Sequence, residues 1–501
     1  MKRLLKIGVA AMCIASFLAG CSAQDGVANT ETMPGGAAAK WEGATIIELA
    51  DDAITVNGAA ISDNPDSAVF KANDIVFYLA NQGFTYGEGT AEDEHTQEEA
   101  DAHTVVHITK PGTYAISGKL SSGQIAVDLG KEAKEDPGAV VTLILDGVDI
   151  TCQVAPAVIF YNVYEPFDKD TESPIKDVDT SAAGANVLIA DGTVNNVAGS
   201  YVARIYKSVE LNEAGTEIVD SKKLHKYDAA FYSKMTMNIN GDEQGTGVLN
   251  INAENEGLDS ELHLTINGGN VNITSGNDGI NTNEDGVSVT TINGGILTIQ
   301  VTGATGEGDG IDSNGWLVIN GGTVITAACG FSMDAGIDSD MGIHINGGTV
   351  VASGNMLDHI SESKQNFAVF NFASRQKGGN AYMLKNSAGE AVAEVTPGND
   401  FSCLVFSAKG LVAGTYTLWQ GDTQLAASKD DKGRGFPGGM PGGFPDGEKP
   451  QMPEGAPRPE KVPRPEGGRG QGGMTNMREL SVEFEITDGG NYFNAVAVTE
   501  K

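Results

Sequence analysis

The chain has 501 residues, a formal net charge of −35 at pH 7 and a hydrophobic content of 40%. This acidity argues against a nucleic-acid partner, because phosphate backbones bind basic protein faces. Cys152, Cys329 and Cys403 are far apart and odd in number, so they indicate neither a disulfide framework nor a zinc site. We expect these three cysteines to be small buried apolar residues.

The N-terminus has the pattern of an exported lipoprotein. Residues 1–20 carry basic side chains followed by a mostly apolar run over 7–18, which is typical of a secretory signal. Residues 18–21 read Leu-Ala-Gly-Cys, a lipobox-like end at which the cysteine is acylated. We predict lipidation at Cys21, a linker over 21–43, and a membrane-anchored lipoprotein outside the cytoplasm at the cell surface. An ordinary signal peptide with an incidental cysteine is the alternative.

Short strands are predicted from residue 44 onward. They begin with 45–49 and continue through 104–108 and 140–150, each bounded by Gly, Pro or Asp. We assign them to the irregular first part of a domain that spans 44–360. Residues 207–226 are expected to leave the regular pattern as an excursion.

The run from Ala229 to Gly354 repeats one phrase five times. The asparagine of its turn recurs at 240, 267, 293, 320 and 346, which gives spacings of 27, 26, 27 and 26 residues. A near-constant period of this size is typical of a solenoid, in which one repeat cannot bury its apolar face alone.

Within each repeat, apolar residues alternate with polar ones, as in Leu264-Thr265-Ile266. Such alternation predicts short strands with one inward face, and Asn-Gly-Gly predicts a tight turn because both residue types tolerate positive φ. We therefore predict an all-β fold in which 44–360 form a parallel β-helix, with regular coils over 229–354. An array of β-hairpins is the alternative, since two-residue turns usually signal hairpins.

The period ends after residue 354, although further strands follow. We predict a small C-terminal β element, made of 361–430 plus 477–501, that covers the open end of the solenoid, because uncovered strand edges invite aggregation. Residues 431–476 hold nine of the seventeen prolines and many glycines. This composition predicts a disordered low-complexity insertion.

Acidic residues recur near the start of each coil and are the candidate metal ligands. They are Glu256, Asp259, Asp278, Asn281, Asp309, Asp312, Asp334 and Asp338. Neighbouring strands lie about 4.8 Å apart, so stacked repeats would bring these carboxylates together. The interval from Met235 to Ser363 contains no Lys or Arg, so no internal cation is expected to neutralise them. Calcium accepts six to eight oxygen ligands with loose geometry, and we predict calcium as the cofactor. The alternative is a metal-free stack of Asp and Asn side chains that cap turns.

Three ring side chains are expected on the outward face of the coils. Alternation places Trp316 outward, together with His263 and His344 at related positions in other coils. A ring on a flat β surface can stack on a sugar, so these three are the candidate carbohydrate contacts. A tryptophan tucked under a loop and solvated histidines are the alternatives.

Several phrases resemble a known family. They are Pro-Gly-Thr-Tyr at 111–114, Leu-Asp-Gly-Val-Asp-Ile at 145–150, Gly-Asp-Gly-Ile-Asp-Ser at 308–313 and Ile-Asn-Gly-Gly-Thr-Val at 319–324. The family comprises secreted bacterial carbohydrate-binding domain-containing proteins, and the resemblance covers roughly 44–430 and the last strand. It implies a right-handed parallel β-helix similar to pectate lyases, which binds calcium and plant cell-wall polysaccharide such as cellulose or polygalacturonate.

The resemblance raises the question of catalysis. Lyases of this fold abstract a proton with a Lys or Arg base assisted by calcium. The regular coils contain neither residue, and Lys234 at their edge is the one nearby candidate. We therefore assign no catalytic residue and favour a monomeric polysaccharide-binding protein. A calcium-dependent pectate-lyase-like enzyme and a surface adhesin or scaffold are the alternatives.

Overall fold

The structure is a computed structural model that describes residues 40–361, 363–430 and 480–497. The predicted signal peptide, Cys21, nearly all of the linker and the low-complexity insertion lie outside the described residues. Among the described residues, no helix has the length and apolar character needed to cross a membrane.

The described residues form mostly strands. In chain order the strands are β1 (Thr45–Leu49), β2 (Thr55–Val56), β3 (Ala59–Ala60), β4 (Val69–Ala72), β5 (Thr104–Ile108), β6 (Gly112–Leu120), β7 (Gly123–Asp128), β8 (Val141–Thr151), β9 (Val158–Asn162), β10 (Ala185–Ile189), β11 (Val194–Gly199), β12 (Val202–Leu211), β13 (Ile218–Tyr227), β14 (Ala229–Ser233), β15 (Met237–Gly241), β16 (Val248–Ala253), β17 (Glu256–Ser260), β18 (His263–Ile266), β19 (Asn270–Ser275), β20 (Ile280–Thr282), β21 (Val289–Ile292), β22 (Ile296–Val301), β23 (Ile311–Ser313), β24 (Trp316–Ile319), β25 (Thr323–Ala327), β26 (Gly342–Ile345), β27 (Thr349–Gly354), β28 (Phe367–Gln376), β29 (Tyr382–Asn386), β30 (Ala391–Val395), β31 (Phe401–Ala408), β32 (Gly414–Gln420), β33 (Thr423–Lys429), β34 (Phe484–Ile486) and β35 (Gly490–Ala497). The helical segments between residues 45 and 430 in the described part of the chain are α1 (Gln97–Asp101) and two 3-10 turns, Lys131–Glu135 and Thr180–Ala182.

Equivalent strands of successive repeats pair in parallel and form three ladders. The first ladder joins β10, β15, β18, β21, β24 and β26. The second ladder joins β11, β16, β19, β22, β25 and β27. The third ladder joins β9, β14, β17, β20 and β23. The stacking of neighbouring repeats therefore follows the sequence period, and the parallel pairing excludes a hairpin array for these repeats.

The inward positions of the ladders form the core. In the first ladder one buried column contains Ile239, Ile266, Ile292, Ile319 and Ile345, each opposite the next. Burial of one such side chain contributes roughly 1.5–3 kcal/mol, so the column is a main stabilising feature. The three cysteines expected to be buried, Cys152, Cys329 and Cys403, are free and buried, which confirms that expectation.

The turn asparagines also stack. Amide-to-amide hydrogen bonds of 2.9 to 3.0 Å join Asn267 to Asn240, Asn293 to Asn267, Asn320 to Asn293 and Asn346 to Asn320. The second glycine of the turn has positive φ, as at Gly269 (84°) and Gly295 (80°). Glycine is required there because side chains rarely adopt this conformation, so each repeat turns at the same place.

The prediction of a right-handed parallel β-helix closed by a small separate cap is wrong. Within the described residues, the strands divide into a 25-stranded sheet, an eight-stranded sheet and the two-stranded β12–β13 hairpin. The large sheet is mixed, because β31 pairs antiparallel with β27 and with β28, and β1 pairs antiparallel with β2. The fold is all-β with large sheets whose repeat strands are parallel. The sequence period specifies how neighbouring repeats stack, but it does not specify which strands extend the sheet where the period stops.

The C-terminal strands have an aromatic core of their own. The ring of Phe370 stacks on that of Phe493 at 5.2 Å and contacts Phe484 edge-on at 5.4 Å. This cluster is distinct from the main core, although β31 continues the same sheet as β27.

Candidate functional site

Four of the predicted metal ligands lie in one column along the third ladder. Asp259 is opposite Asn281, and Asn281 is opposite Asp312. The backbone amide of Asp338 donates to the carbonyl of Ile311 at 2.7 Å, which places Asp338 beside Asp312. The parallel register therefore brings together residues that are up to 79 positions apart in sequence, from Asp259 to Asp338.

A second column lies beside the first. The amide of Glu256 donates to the carbonyl of Asp228 at 3.1 Å. In the later repeats, the amide of Gly257 donates to the carbonyl of Asp278, and the amide of Gly279 donates to the carbonyl of Asp309. Some carboxylates in this column bind backbone amides: the amide of Asp309 donates to Asp278 at 2.6 Å, and that of Gly308 donates to Asp334 at 2.7 Å. Part of the acidic pattern thus caps turns, as the metal-free alternative requires.

Asp228, Glu256 and Asp259 form the first group of carboxylates, named cluster A here. Each offers an oxygen within 4.8 Å of the others, and all three side chains are buried. The amide of Asn281 donates to Glu256 Oε1 at 3.3 Å, and Asn283 donates to both oxygens of Asp259 at 3.0 Å. These amides orient cluster A, but they supply no charge to balance it.

Asp278, Asp309, Asp312 and Asp338 lie in neighbouring repeats along the same ladder, and these four acids are named cluster B here. Among the described residues, cluster A is the group in which three carboxylates come within 4.8 Å of one another; the acids of cluster B are more widely spread. Burial, followed by repulsion from neighbouring carboxylates, raises the pKa of Asp312 and of Asp338 to about 8. Burial and nearby acids such as Asp334 raise the pKa of Asp278 to about 7, and the same causes raise the pKa of Asp309 well above its usual value. In the described part of the chain, no lysine or arginine forms an ion pair with cluster B. Cluster B therefore combines four acids with no balancing cation.

Three oxygens of predicted ligands lack hydrogen-bond partners. They are Glu256 Oε2, Asn281 Oδ1 and Asp338 Oδ1, which are buried atoms without a partner among the described residues. Leaving a buried acceptor unsatisfied costs about 1–3 kcal/mol, and more for a charged group. Glu256 and Asn281 are neighbours, whereas Asp338 lies two strand spacings of about 4.8 Å beyond Asn281, so one cation could satisfy the first two oxygens and a second cation the third. The donor set of carboxylates plus one amide oxygen is the hard-oxygen type that calcium prefers. The residues present therefore fit a calcium ion.

The expectation that no internal cation reaches the acids is wrong for one region. Lys226, on β13, contacts Asp228 of cluster A. Lys169 contacts Glu284 and lies 4.0 Å from Glu261, which is near cluster A. Both lysines lie outside the lysine-free interval, so only tertiary structure brings them to the acidic face.

Sequence reasoning missed Asp228 as a member of cluster A. Asp228 lies immediately before β14, and Ala229 rather than Asp228 is opposite Glu256. Asp228 is therefore shifted by one residue from the position that the acids occupy in later repeats. The signal that could have found it is the Lys-Tyr-Asp sequence at 226–228, an acid next to the first regular strand. Tyr232 occupies the acidic position of its own repeat and donates its hydroxyl to Glu261.

The segment 165–182 covers part of the outward face of the first ladder, so the expected solvent-facing position of His263 is wrong. The ring of Phe167 meets His263 edge-on at 4.9 Å, and Thr180 bonds to Asn238 and Thr265 at 2.7 Å. His263 is 3% exposed, and its Nδ1 accepts from the amide of Val289 at 3.1 Å. Burial lowers the pKa of His263 to about 4. His263 lines a small pocket of about 240 Å³ between the first ladder and residues 167–179, and its role in carbohydrate contact stays a prediction.

The other two ring candidates lie near the edge of that covered face. Trp316 is half-buried at the start of β24, opposite Val289 and Gly342. His344 is also half-buried and is opposite Val318, which is itself buried. The structure thus brings Trp316 and His344 to one side of the first ladder, and a role of either in carbohydrate contact stays a prediction.

Lys234, the candidate catalytic base, is half-buried beside an aromatic ring. Its ammonium lies 6.0 Å from the centre of the Tyr227 ring, and its backbone amide donates to Phe160 at 2.9 Å. Burial lowers its pKa, with a further contribution from Lys134. No catalytic role is assigned to Lys234.

Comparison with known proteins places the chain in a family. Residues 102–431 match the family described as "Carbohydrate-binding domain-containing protein". A protein of that description from Acetivibrio thermocellus is 31% identical over 170 residues, which is 34% of this chain and 44% of the relative. The match thus spans less than half the length of that relative.

A solved structure, titled "Structure of the polysaccharide lyase-like protein from C. thermocellum, Gadolinium derivative", is also similar. It aligns with 64% of this chain and 92% of its own, at a TM-score of 0.34 and 19% identity. That likeness is too slight to bear on the fold or activity of this chain. The family match, in contrast, covers more than half of the sequence, and the protein belongs to the carbohydrate-binding domain-containing protein family.

Proposed function

We propose that this protein binds polysaccharide in a calcium-dependent manner, while lipid on Cys21 holds it at the cell surface. Family membership supports carbohydrate as the ligand. The observation that carries calcium dependence is the set of unpartnered acceptor oxygens on Glu256, Asn281 and Asp338, which lie within the stacked acids. An exported location would suit a weak oxygen-only site, because extracellular calcium modules work at about 10⁻⁴–10⁻³ M calcium.

The two clusters differ in their need for a metal. In cluster A, Lys226 supplies one positive charge beside Asp228. Cluster B has no such neighbour among the described residues, and its acids repel one another. Cluster B, with Asn281 and Asp334 at its margins, is therefore the proposed principal calcium site. When bound, calcium would neutralise these carboxylates and fix successive repeats relative to one another.

Bound calcium also explains how an acidic protein could approach a plant cell-wall glycan. A formal charge of −35 repels polygalacturonate over the Debye length of about 8 Å at physiological ionic strength. Neutralising cluster B reduces this repulsion, and a calcium ion with an open coordination position can accept sugar oxygens. Cellulose is uncharged, and its binding would depend on calcium only through the stability of the repeats.

Calcium titration and glycan retention test the proposal together. Isothermal titration calorimetry of chelated protein is expected to show calcium binding that is lost in the Asp312→Asn/Asp338→Asn double variant. Asp66→Asn, an exposed aspartate far from the clusters in sequence, is the matched control and should bind calcium normally. Retention on insoluble cellulose and on pectin, with calcium or with chelator, measures the polysaccharide. If titration shows no heat of calcium binding, the proposed calcium dependence is wrong. If the protein is retained on neither polymer, the proposed polysaccharide binding is wrong.

A further inference from the structure

A pocket in the C-terminal β region stands apart from the acidic clusters. It has a volume of about 360 Å³, within the roughly 300–1,000 Å³ range of small-ligand sites. Its wall is the end of β28 together with residues from the β29, β32 and β35 neighbourhoods. The lining residues are Ala373, Ser374, Arg375, Gln376, Lys377, Asn380, Gln420, Ala495 and Val496.

The charge of this pocket is opposite to that of the protein as a whole. Arg375 is exposed and forms no ion pair with a carboxylate in the described ranges, although the chain carries 67 acidic residues. Lys377 bonds to Asp400 at 2.6 Å, so one of the two cations is already balanced. Lys377, and to a lesser extent Arg375, lowers the pKa of Asp400, so the rim of the pocket carries two cations beside one carboxylate on a strongly acidic protein.

The polar wall of the pocket is fixed by a buried hydroxyl. Tyr382 is fully buried, and its hydroxyl accepts from Gln420 Nε2 at 2.8 Å and donates to Gln376 Oε1 at 3.4 Å. These bonds hold two amide side chains in place on the pocket wall. Fixed amides are the groups that orient sugar hydroxyls in binding sites, because little conformational entropy is lost when the ligand binds.

Arg375 contacts the backbone of Phe331, a residue whose aromatic ring is exposed. Arg375 Nη2 donates to the backbone carbonyl of Phe331 at 3.4 Å, and the Phe331 side chain is 60% exposed. Gly330 packs against the backbone of Asp400, the partner of Lys377. The backbone of the loop that carries Phe331 therefore lies close to the rim of the pocket, while the Phe331 ring lies near Gly303.

From this combination we propose that the pocket binds a carboxylate-bearing sugar, that is, a uronate residue of an acidic polysaccharide. Arg375 would bind the carboxylate through two parallel N–H groups, a geometry that guanidinium and carboxylate share. Gln376 and Gln420, which line the same pocket, would contact hydroxyls of the sugar. The inference rests on the proposed polysaccharide binding and narrows it to an anionic glycan, with a contact site that is separate from the calcium clusters.

Binding of three soluble oligosaccharides to the full chain in the presence of calcium tests this inference. They are an oligogalacturonate, its methyl ester, which lacks the charge, and a cello-oligosaccharide. Wild-type protein is expected to prefer the oligogalacturonate. Arg375→Gln should weaken oligogalacturonate binding about tenfold or more, as expected for loss of a charge-assisted bidentate contact. The same substitution should leave binding of the methyl ester unchanged. Arg375→Lys, which keeps the charge but not the planar geometry, should fall in between.

The control is Lys110→Gln, which removes an exposed cation at another place and should leave oligogalacturonate binding unchanged. Calcium titration of Arg375→Gln should match wild type, which separates this pocket from the calcium clusters. Oligogalacturonate binding that is insensitive to Arg375→Gln would overturn the uronate pocket while leaving polysaccharide binding intact. Failure of the wild-type protein to bind any of the three glycans would count against the proposed function and the pocket together.

Discussion

The ammonium group of Lys226 contacts the carboxylate of Asp228, which is 3% exposed. Lys226 belongs to the β12–β13 hairpin, and Asp228 directly precedes the first regular repeat. Glu256 and Asp259 complete cluster A, and the charge of Lys226, with a weaker attraction of Asp228 to Arg204, faces these three buried acids. The hairpin is thus tied to the repeats by an ion pair that only partly balances the charge beneath it.

Removing this lysine should destabilise the protein. In Lys226→Met, Asp228 is left as a buried acid without its partner; because the Lys226 side chain is itself 47% exposed, we expect a cost of about 1–3 kcal/mol, the range for a buried acceptor left unsatisfied. We expect a clearly lower melting temperature in chelator and a smaller loss in calcium, because the metal can replace the missing charge. Lys223→Met is the matched control: Lys223 pairs with Glu88 at a half-exposed site, where a pair contributes about 0–1 kcal/mol. Equal losses for both variants would contradict the role assigned to Lys226.

Cluster B predicts that stability in chelator falls as pH rises. The folded-state pKa of Asp278 is about 7 and that of Asp312 about 8, against a usual value of 3.8. Between about pH 4 and pH 8 the folded chain therefore holds more protons than the unfolded chain, so stability is highest in acid and is lost through that window. Melting temperatures at pH 5, 6.5 and 8 measure the slope. Adding calcium, or substituting Asp312→Asn in chelator, should reduce the dependence of the melting temperature on pH. A melting temperature that instead rises with pH would contradict the proposal that these buried acids are protonated in the folded protein.

The asparagine stack predicts that the loss of stability on substituting one asparagine depends on its position in the stack. Asn293→Ala removes two inter-repeat amide bonds, whereas Asn346→Ala removes one, because Asn346 is the last member. At about 0.5–1.5 kcal/mol for each net hydrogen bond, the central substitution should cost about twice as much as the terminal one. Chemical denaturation in calcium-saturated buffer makes the comparison. Equal costs would indicate that solvent replaces these exposed amide bonds.

Phe167 is expected to keep His263 uncharged. Their rings meet at 4.9 Å, and burial lowers the pKa of His263 to about 4. In Phe167→Ala the imidazole gains solvent, so its pKa should rise toward the usual 6.5. Side-chain NMR titration of the histidines measures this shift. Phe84→Ala, which removes an exposed ring elsewhere, should leave the His263 titration unchanged.

The sequence period predicted the parallel stacking of repeats and the alignment of Asp259, Asn281 and Asp312, because both depend only on register between adjacent copies. It could not predict the mixed sheet, since β31 lies beyond the last copy and pairs with β27 in the opposite direction. Alternation correctly separated inward from outward side chains. It did not reveal that residues 165–182 cover some outward positions, as His263 shows, because that contact joins segments about 100 residues apart.

The residues of the candidate sites could likewise be predicted from the sequence only in part. The acids within the repeats could be recognised from their spacing alone. Lys226 and Asp228 could not, because a hairpin outside the period carries the lysine and a one-residue offset displaces the aspartate. Residues 373–377 carry no repeat signal either, and only the folding of β28 beside β29, β32 and β35 forms the pocket around Arg375.

The reversed direction of β31 against β27 has a consequence for how such a protein can change in length. A further copy of the 26- or 27-residue unit added after Gly354 would have to displace β31 from the edge it already occupies. An insertion between existing copies leaves the contact between β27 and β31 unchanged, because the new unit meets parallel neighbours above and below, whereas a copy added at the end must itself pair with β31.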